Sequence, residues 1–140
     1  MEIGGYQFPD DLYYDLEHNW ARVEGNRVTT GITDFAQAIA GEIVYAEVPR
    51  VGRDVEAGKP FMSMESGKWV GRIKAIVSGK IVEANEEIEF DSTIINSSPY
   101  EEGWLAVIEA SNPTEVDALL RPGDPKYQDF IAAEKEKYGK

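Results

Sequence analysis

Between Pro49 and Asn96 the apolar residues come in short runs broken by Gly, Pro and Asn, and no stretch carries helical periodicity. A chain patterned this way buries its apolar side chains by pairing short strands, so this segment predicts β structure. Phe61-Met62-Ser63-Met64 alternates large and small residues, and Val70 to Val77 and Lys80 to Val82 supply further strands. Upstream, Trp20 to Glu24 and Arg27 to Thr30 flank Gly25-Asn26, two residues that tolerate positive φ, and predict a hairpin. Trp104-Leu105-Ala106-Val107-Ile108 is apolar almost throughout and predicts a strand at the centre of a sheet.

Helices are short and peripheral. Thr33 is an N-cap candidate, with Asp34 in the first turn and Phe35, Ala36, Ala38, Ile39 and Ala40 behind it. Gly41 stops that helix, and Glu42 to Val48 returns to strand. Near the end, Pro113-Thr114-Glu115 opens a helical turn through Val116, Leu119 and Leu120, closed by Pro122-Gly123. Asp124-Pro125 opens a second helix from Lys126 to about Lys137. Its stripe of Tyr127, Phe130, Ile131 and Tyr138 is expected to pack on the body. The fold class expected is mostly β with short helices. A chain of 140 residues suffices for one domain with a true core and is short for two. The expectation is a single domain over 1–140, its core in about 10–120 and a helical tail in 121–140.

Composition removes several kinds of chemistry. There is no cysteine, which excludes disulfides, thiolate catalysis and Cys-ligated metals, so any redox chemistry sits on a bound group. His18 is the one histidine, which excludes a multi-histidine metal site. The net charge of −12 sets 26 acidic against 14 basic residues, the wrong balance for nucleic acid. No apolar run approaches the roughly 20 residues that span a bilayer. Met1-Glu2-Ile3-Gly4-Gly5 has neither a basic nor an apolar leader segment, so a cytoplasmic location is expected.

The centre of the chain carries an internal echo. Gly52-x-x-Val55-Glu56-Ala57-Gly58 recurs as Gly79-x-x-Val82-Glu83-Ala84-Asn85, and the midpoint between the copies falls between Lys68 and Trp69. The residues that differ, Gly58 and Asn85, are the types that most readily adopt the left-handed region. Two related half-sheets place their connecting hairpin in Glu65-Ser66-Gly67-Lys68-Trp69, with Gly67 supplying positive φ at the turn. Lys68 then projects from the tip. An exposed primary amine on a rigid turn can receive a large activated acyl group, and its four-carbon stem adds reach. Turn lysines are more often simply solvated.

Several motifs, in order, resemble the H protein of the glycine cleavage system. They are Glu17-His18-Asn19-Trp20, Gly31-Ile32-Thr33-Asp34-Phe35-Ala36-Gln37, Gly41-Glu42-Ile43-Val44 and Val51-Gly52 with Val55 to Gly58. Beyond these stand Glu65-Ser66-Gly67-Lys68, Val77-Ser78-Gly79, Val82 to Asn85, Pro99-Tyr100 and Gly103-Trp104-Leu105. The likeness covers about residues 10 to 120. It implies a barrel-sandwich hybrid with a C-terminal helix, and a non-catalytic carrier with lipoate covalently attached to Lys68. A lipoate ligase or transferase is the implied modifying partner, and a monomer is expected.

The resemblance weakens beside the lysine. Gly67 stands for the family's valine, Trp69 for alanine, Arg72 for an aspartate, and Lys74 falls near a tyrosine. A basic edge in an acidic protein alters which partner docks, since interface charge chiefly sets on-rate and specificity. On that ground the reading leans to the family's lipoate-binding branch from bacterial sulfur oxidation, working with a heterodisulfide-reductase-like complex. The alternative is a glycine-cleavage H protein carrying the aminomethyl group among the glycine-cleavage enzymes. An unmodified binding or scaffold domain is the third reading, and a biotin carrier is disfavoured because Met-Lys-Met is absent. Glu65 is assigned to ligase recognition or hairpin electrostatics. Trp69 either caps the barrel by packing on Met62 or Met64, or covers the prosthetic group or a partner. His18 is structural or, with Arg72 and Lys74, part of partner recognition.

Overall fold

A computed structural model describes all of residues 1–140. The chain opens with a small ribbon, β1 (Glu2–Ile3) and β2 (Tyr6–Gln7). Then come β3 (Tyr13–Tyr14), β4 (Asn19–Glu24), β5 (Arg27–Ile32), α1 (Asp34–Ala40) and β6 (Ile43–Ala46). The central part holds β7 (Asp54–Val55), β8 (Pro60–Ser66), β9 (Val70–Lys74) and β10 (Gly79–Ala84). After short helices α2 (Glu87–Phe90) and α3 (Ile94–Ser97), the chain ends with β11 (Ala106–Ala110), α4 (Thr114–Asp117) and α5 (Pro125–Tyr138). One sheet has the order β3-β4-β5-β11-β10-β7, and a second, three-stranded sheet has the order β6-β8-β9.

The main hairpin forms where expected, with Glu24 opposite Arg27 and Gly25-Asn26 as the two-residue loop. Only Gly25 takes a positive φ, which fits a turn needing that conformation at its first central residue. β11 lies inside its sheet between β5 and β10, as its apolar run requires. The strand anticipated over Val70 to Val77 ends at Lys74, and Ala75 makes one isolated parallel bridge to Ala57. The two copies of the internal echo meet, because Gly79 pairs with Val55 and Lys80 with Asp54. Gly58 is left-handed with φ 82°, whereas Asn85 is not. Asn85 is instead buried, its amide donating to the Glu102 and Trp104 carbonyls while its side-chain oxygen accepts from Glu87 N–H. A hydrogen-bonding role replaces the conformational one.

Two apolar clusters organise the interior. The larger, including Ile43, Met64, Ile73, Ile81, Leu105 and Ile108, fills the space between the sheets. The smaller is aromatic: Phe8, Leu12, Tyr14, Trp20, Phe35, Tyr127 and Ile131. Tyr127 and Ile131 bring α5 into that second cluster, so the tail's stripe packs on the body, although Tyr138 at its end stays largely exposed. No helix is long and apolar enough to cross a membrane.

Candidate functional site

The Lys68 turn is short and firmly seated. Glu65 pairs with Val70 across β8 and β9, and Ser66 N–H donates to the Trp69 carbonyl at 2.7 Å, leaving Gly67 and Lys68 as the loop. Ser66 Oγ–H donates to the Ala40 carbonyl at 2.6 Å, which ties the tip to the last turn of α1. Thr33 caps the start of that helix through Oγ1, accepting from Ala36 N–H at 3.1 Å, and Gly41 ends it with φ 82°. Asn96 braces the same turn. Its amide donates to the Gly41 carbonyl, and its side-chain oxygen accepts from Ile43 N–H.

Lys68 and Gly67 are both exposed. The Lys68 stem crosses Gly41 so closely that a Cβ on Gly41 would come within 2.8 Å of Lys68 Cε. Glycine there serves both the helix stop and the passage of the stem. Lys68 makes no ion pair, and neither does Glu65, which lies on the outer face between Tyr45 and Val70. Gly67 corrects an expectation: it is absent from the positive-φ glycines, and a Cβ on it would meet nothing within 4 Å. The hydrogen-bonded loop forms without a left-handed residue, so this position accepts an ordinary side chain.

The Trp69 indole covers Gly71, the cross-strand partner of buried Met64, so it lies on the inward face of β9 and leaves no room at Gly71 for a Cβ. From this seat Trp69 lines a cleft of about 250 Å³ between β9, which is the free edge of its sheet, and α1. Ile32, Ala36, Ile39, Ala40 and Ile73 form its apolar walls, and Glu17, His18, Arg72, Lys74 and Tyr138 complete its lining. The structure therefore gathers Trp69, Arg72, Lys74 and His18 into one recess, while Glu65 stays outside it.

The far end of the cleft is an organised turn. Asp15 accepts from the N–H groups of Glu17 and Asn19 and from the Asn19 amide, and the Asn19 amide also donates to the Lys74 carbonyl. Burial pushes the Asp15 carboxyl above the usual carboxylate range, with those hydrogen bonds opposing the rise. His18 holds φ 67°, a strained value for a non-glycine residue. Its ring lies near both Phe35 and Phe130, and Nε2 approaches Glu134 Oε1 of α5 at 2.7 Å, which gives it a structural task. Lys74 pairs with Glu17 at 3.4 Å.

Sequence reading did not single out Gly41, Gly71, Asn96, Glu134 or a role for Tyr138 in this site. Gly41 carried a signal as a helix stop and Asn96 none, while Glu134 and Tyr138 arrive only through docking of α5. Together, the two sheets and the lysine-bearing hairpin define a barrel-sandwich hybrid of the lipoyl-carrier kind.

The family model described as Glycine cleavage H-protein matches residues 12–133. The glycine cleavage system H protein of Halalkalibacterium halodurans is 46% identical over 126 residues, covering 90% of this chain and 97% of that protein. That of Anoxybacillus flavithermus is 50% identical over 112 residues, covering 80% and 88%. A crystal structure of a glycine cleavage system H protein from Mycobacterium marinum superposes with a TM-score of 0.78 at 32% identity, covering 87% of this chain and 98% of that one. The chain belongs to the glycine cleavage H-protein family, whose members carry a covalently attached lipoate on a lysine. The sulfur-oxidation branch finds no support among these relatives.

Proposed function

We propose that this chain is the H protein of a glycine cleavage system, a non-catalytic carrier with lipoate on the Lys68 amine that passes the aminomethyl group among that system's enzymes. The observation that carries this reading is the placement of Lys68, exposed at a two-residue tip with its stem over the bare Cα of Gly41. The residues present fit the group. An amine free of ion pairs is open to acylation, and the apolar cleft beginning at the next residue suits a hydrocarbon arm.

When bound, the lipoyl dithiolane supplies two sulfurs that open to carry a group or electrons and close again. The protein's part is positional. Ser66 anchors the tip to α1, Gly41 frees the stem, and Trp69 seated on Gly71 offers an apolar wall beside the attachment point. Glu65, with Ser66 and Gly67, gives a lipoate ligase or transferase its local features. The reading takes residues 1–140 as one carrier domain, monomeric and cytoplasmic.

Intact mass after co-expression with a lipoate ligase tests it. A single lipoyl increment in the native chain, lost completely in Lys68→Arg with thermal stability retained, is the expected result; an increment that survives the substitution refutes the assignment. Reconstitution with glycine-cleavage enzymes tests the pathway, with glycine decarboxylation dependent on this chain as the expected outcome. A second reading, a sulfur-oxidation carrier serving a heterodisulfide-reductase-like complex, draws on one observation: Arg72 and Lys74 rim the cleft. It gains if reconstituted glycine decarboxylation fails with a fully lipoylated protein.

A further inference from the structure

The outer face of the three-stranded sheet carries apolar side chains that the fold leaves uncovered. In β6, Ile43 pairs with Ser66 and Tyr45 with Glu65, so Val44 is an extra residue in the strand. A bulge of this kind re-aims side chains and breaks strict alternation. Ile43 and Ala46 are buried, while the two residues between them, Val44 and Tyr45, stand 60% and 50% exposed. Across the sheet Tyr45 faces Glu65, which faces Val70 on β9, and cross-strand partners share a face. Val70 is 73% exposed. Val44 also lines the groove in which Lys68 lies, together with Glu42. Neither Glu42 nor Glu65 forms an ion pair. The apolar face therefore runs up to the lysine and carries uncompensated acidic groups.

Clustered apolar exposure of this kind marks a surface that a partner covers. Its position selects the partner. Enzymes that use a lipoyl arm meet its sulfurs, far from the backbone, and can stand off the hairpin. The enzyme that attaches the group has no such freedom, because it must bring the Lys68 amine itself to the reacting carbon. In that step the neutral amine attacks the carbonyl carbon of a lipoyl adenylate. The amide C–N bond forms, the acyl C–O bond breaks, adenosine monophosphate leaves with the electron pair, and an amine proton passes to solvent. Side chains next to the hairpin tip must then lie against that enzyme. Glu42 and Glu65 call for basic groups opposite them, which would speed docking and fix its orientation.

We propose that Val44, Tyr45 and Val70 form the docking face for the enzyme that lipoylates Lys68, received there by an apolar patch with a basic border. This rests on Lys68 being the attachment site. Glu65 then acts from within an apolar surface, where the docked enzyme excludes water and its charge counts for more. The three apolar residues supply binding and take no part in bond making.

The test uses the full-length unlipoylated chain with a lipoate ligase, lipoate and ATP, followed by intact mass over a range of chain concentrations. The combined substitution Val44→Ser, Tyr45→Ser and Val70→Ser is expected to raise KM roughly tenfold or more while kcat changes less than about twofold. Val51→Ser is the control: this valine is 59% exposed, on the turn that Arg53 anchors to the Phe61 carbonyl at the far end of β8. It is expected to match the native chain. Thermal melting checks that the combined variant folds; Val70→Ser alone, with a smaller rise in KM, replaces it if it does not. A KM equal to the native value, or an equal rise in Val51→Ser, overturns the proposal while leaving Lys68 as the attachment site. Reduction of the fully lipoylated variant by a dihydrolipoyl dehydrogenase and NADH is expected to fall far less than its lipoylation. An equal fall in both assigns the face to arm-using enzymes and overturns the proposal as well. A native chain that gains no lipoyl increment overturns both readings.

Discussion

Around Lys68 the structure depends on side chains that are absent, since Gly41 admits the lysine stem and Gly71 admits the Trp69 indole. Around Trp20 and Tyr127 it depends on side chains that fill space. There Phe8, Tyr14 and Tyr127 meet in edge-on and stacked pairs at 5.1 to 5.7 Å, and Trp20 Nε1–H donates to the Pro99 carbonyl. The first region keeps an amine accessible on a rigid tip. The second fixes α5, and through Glu134 and Tyr138 it builds the far wall of the same cleft. Stability and site accessibility therefore lie in different parts of the molecule, and substitutions should separate them.

The largest break is expected in the aromatic region. Phe35 is fully buried, packs edge-on against Tyr6 at 5.0 Å and lies 5.4 Å from the His18 ring. Phe35→Ala should cost about 3–5 kcal/mol in urea denaturation and loosen the His18 end of the cleft. Ser66→Ala comes next, at about 1–2 kcal/mol, because it leaves the buried Ala40 carbonyl without its hydroxyl donor. Hydrogen exchange should then show faster opening of the β8–β9 tip with the aromatic cluster unchanged.

Tyr127→Phe should act in the opposite direction. The Tyr127 hydroxyl is buried without a hydrogen-bond partner, so its removal should stabilise by about 0.5–1 kcal/mol. Burial raises the Tyr14, Tyr100 and Tyr127 hydroxyls above their ordinary value. The folded chain thus retains protons that the unfolded chain gives up. Their contribution is whole below about pH 10 and is lost as pH rises further. Denaturation at about pH 8 and about pH 11 should show a shallower alkaline loss in Tyr127→Phe than in the native chain. The smallest effect is expected at Gly67→Val, within about 0.5 kcal/mol, since its φ is not positive and its Cβ direction is open. A large loss there would show that the tip needs glycine after all.

Local chemistry made much of this legible from sequence. The Gly25-Asn26 turn, the Thr33 cap and the Gly41 stop are signals written within a few neighbouring residues, and the fold contains each. The misses share a cause. Residue type predicts left-handed conformations for Gly67 and Asn85, whereas a two-residue hydrogen-bonded loop and a set of buried carbonyls decide their conformations. No local pattern shows that the Trp69 indole lies over Gly71, which faces Met64 across the strand pair.

The sequence by itself determined that Lys68 sits at a hairpin tip, because the strand runs on either side and the paired motifs around it are local patterns. Only the tertiary structure decided what lies beside that lysine. The cleft joins residues from α1, β9, the Asp15–Asn19 turn and α5, which approach only when the aromatic cluster docks the tail. The pairing of Lys74 with Glu17 is decided there too. Pairing across such distances in sequence is set by packing, and no local pattern records it.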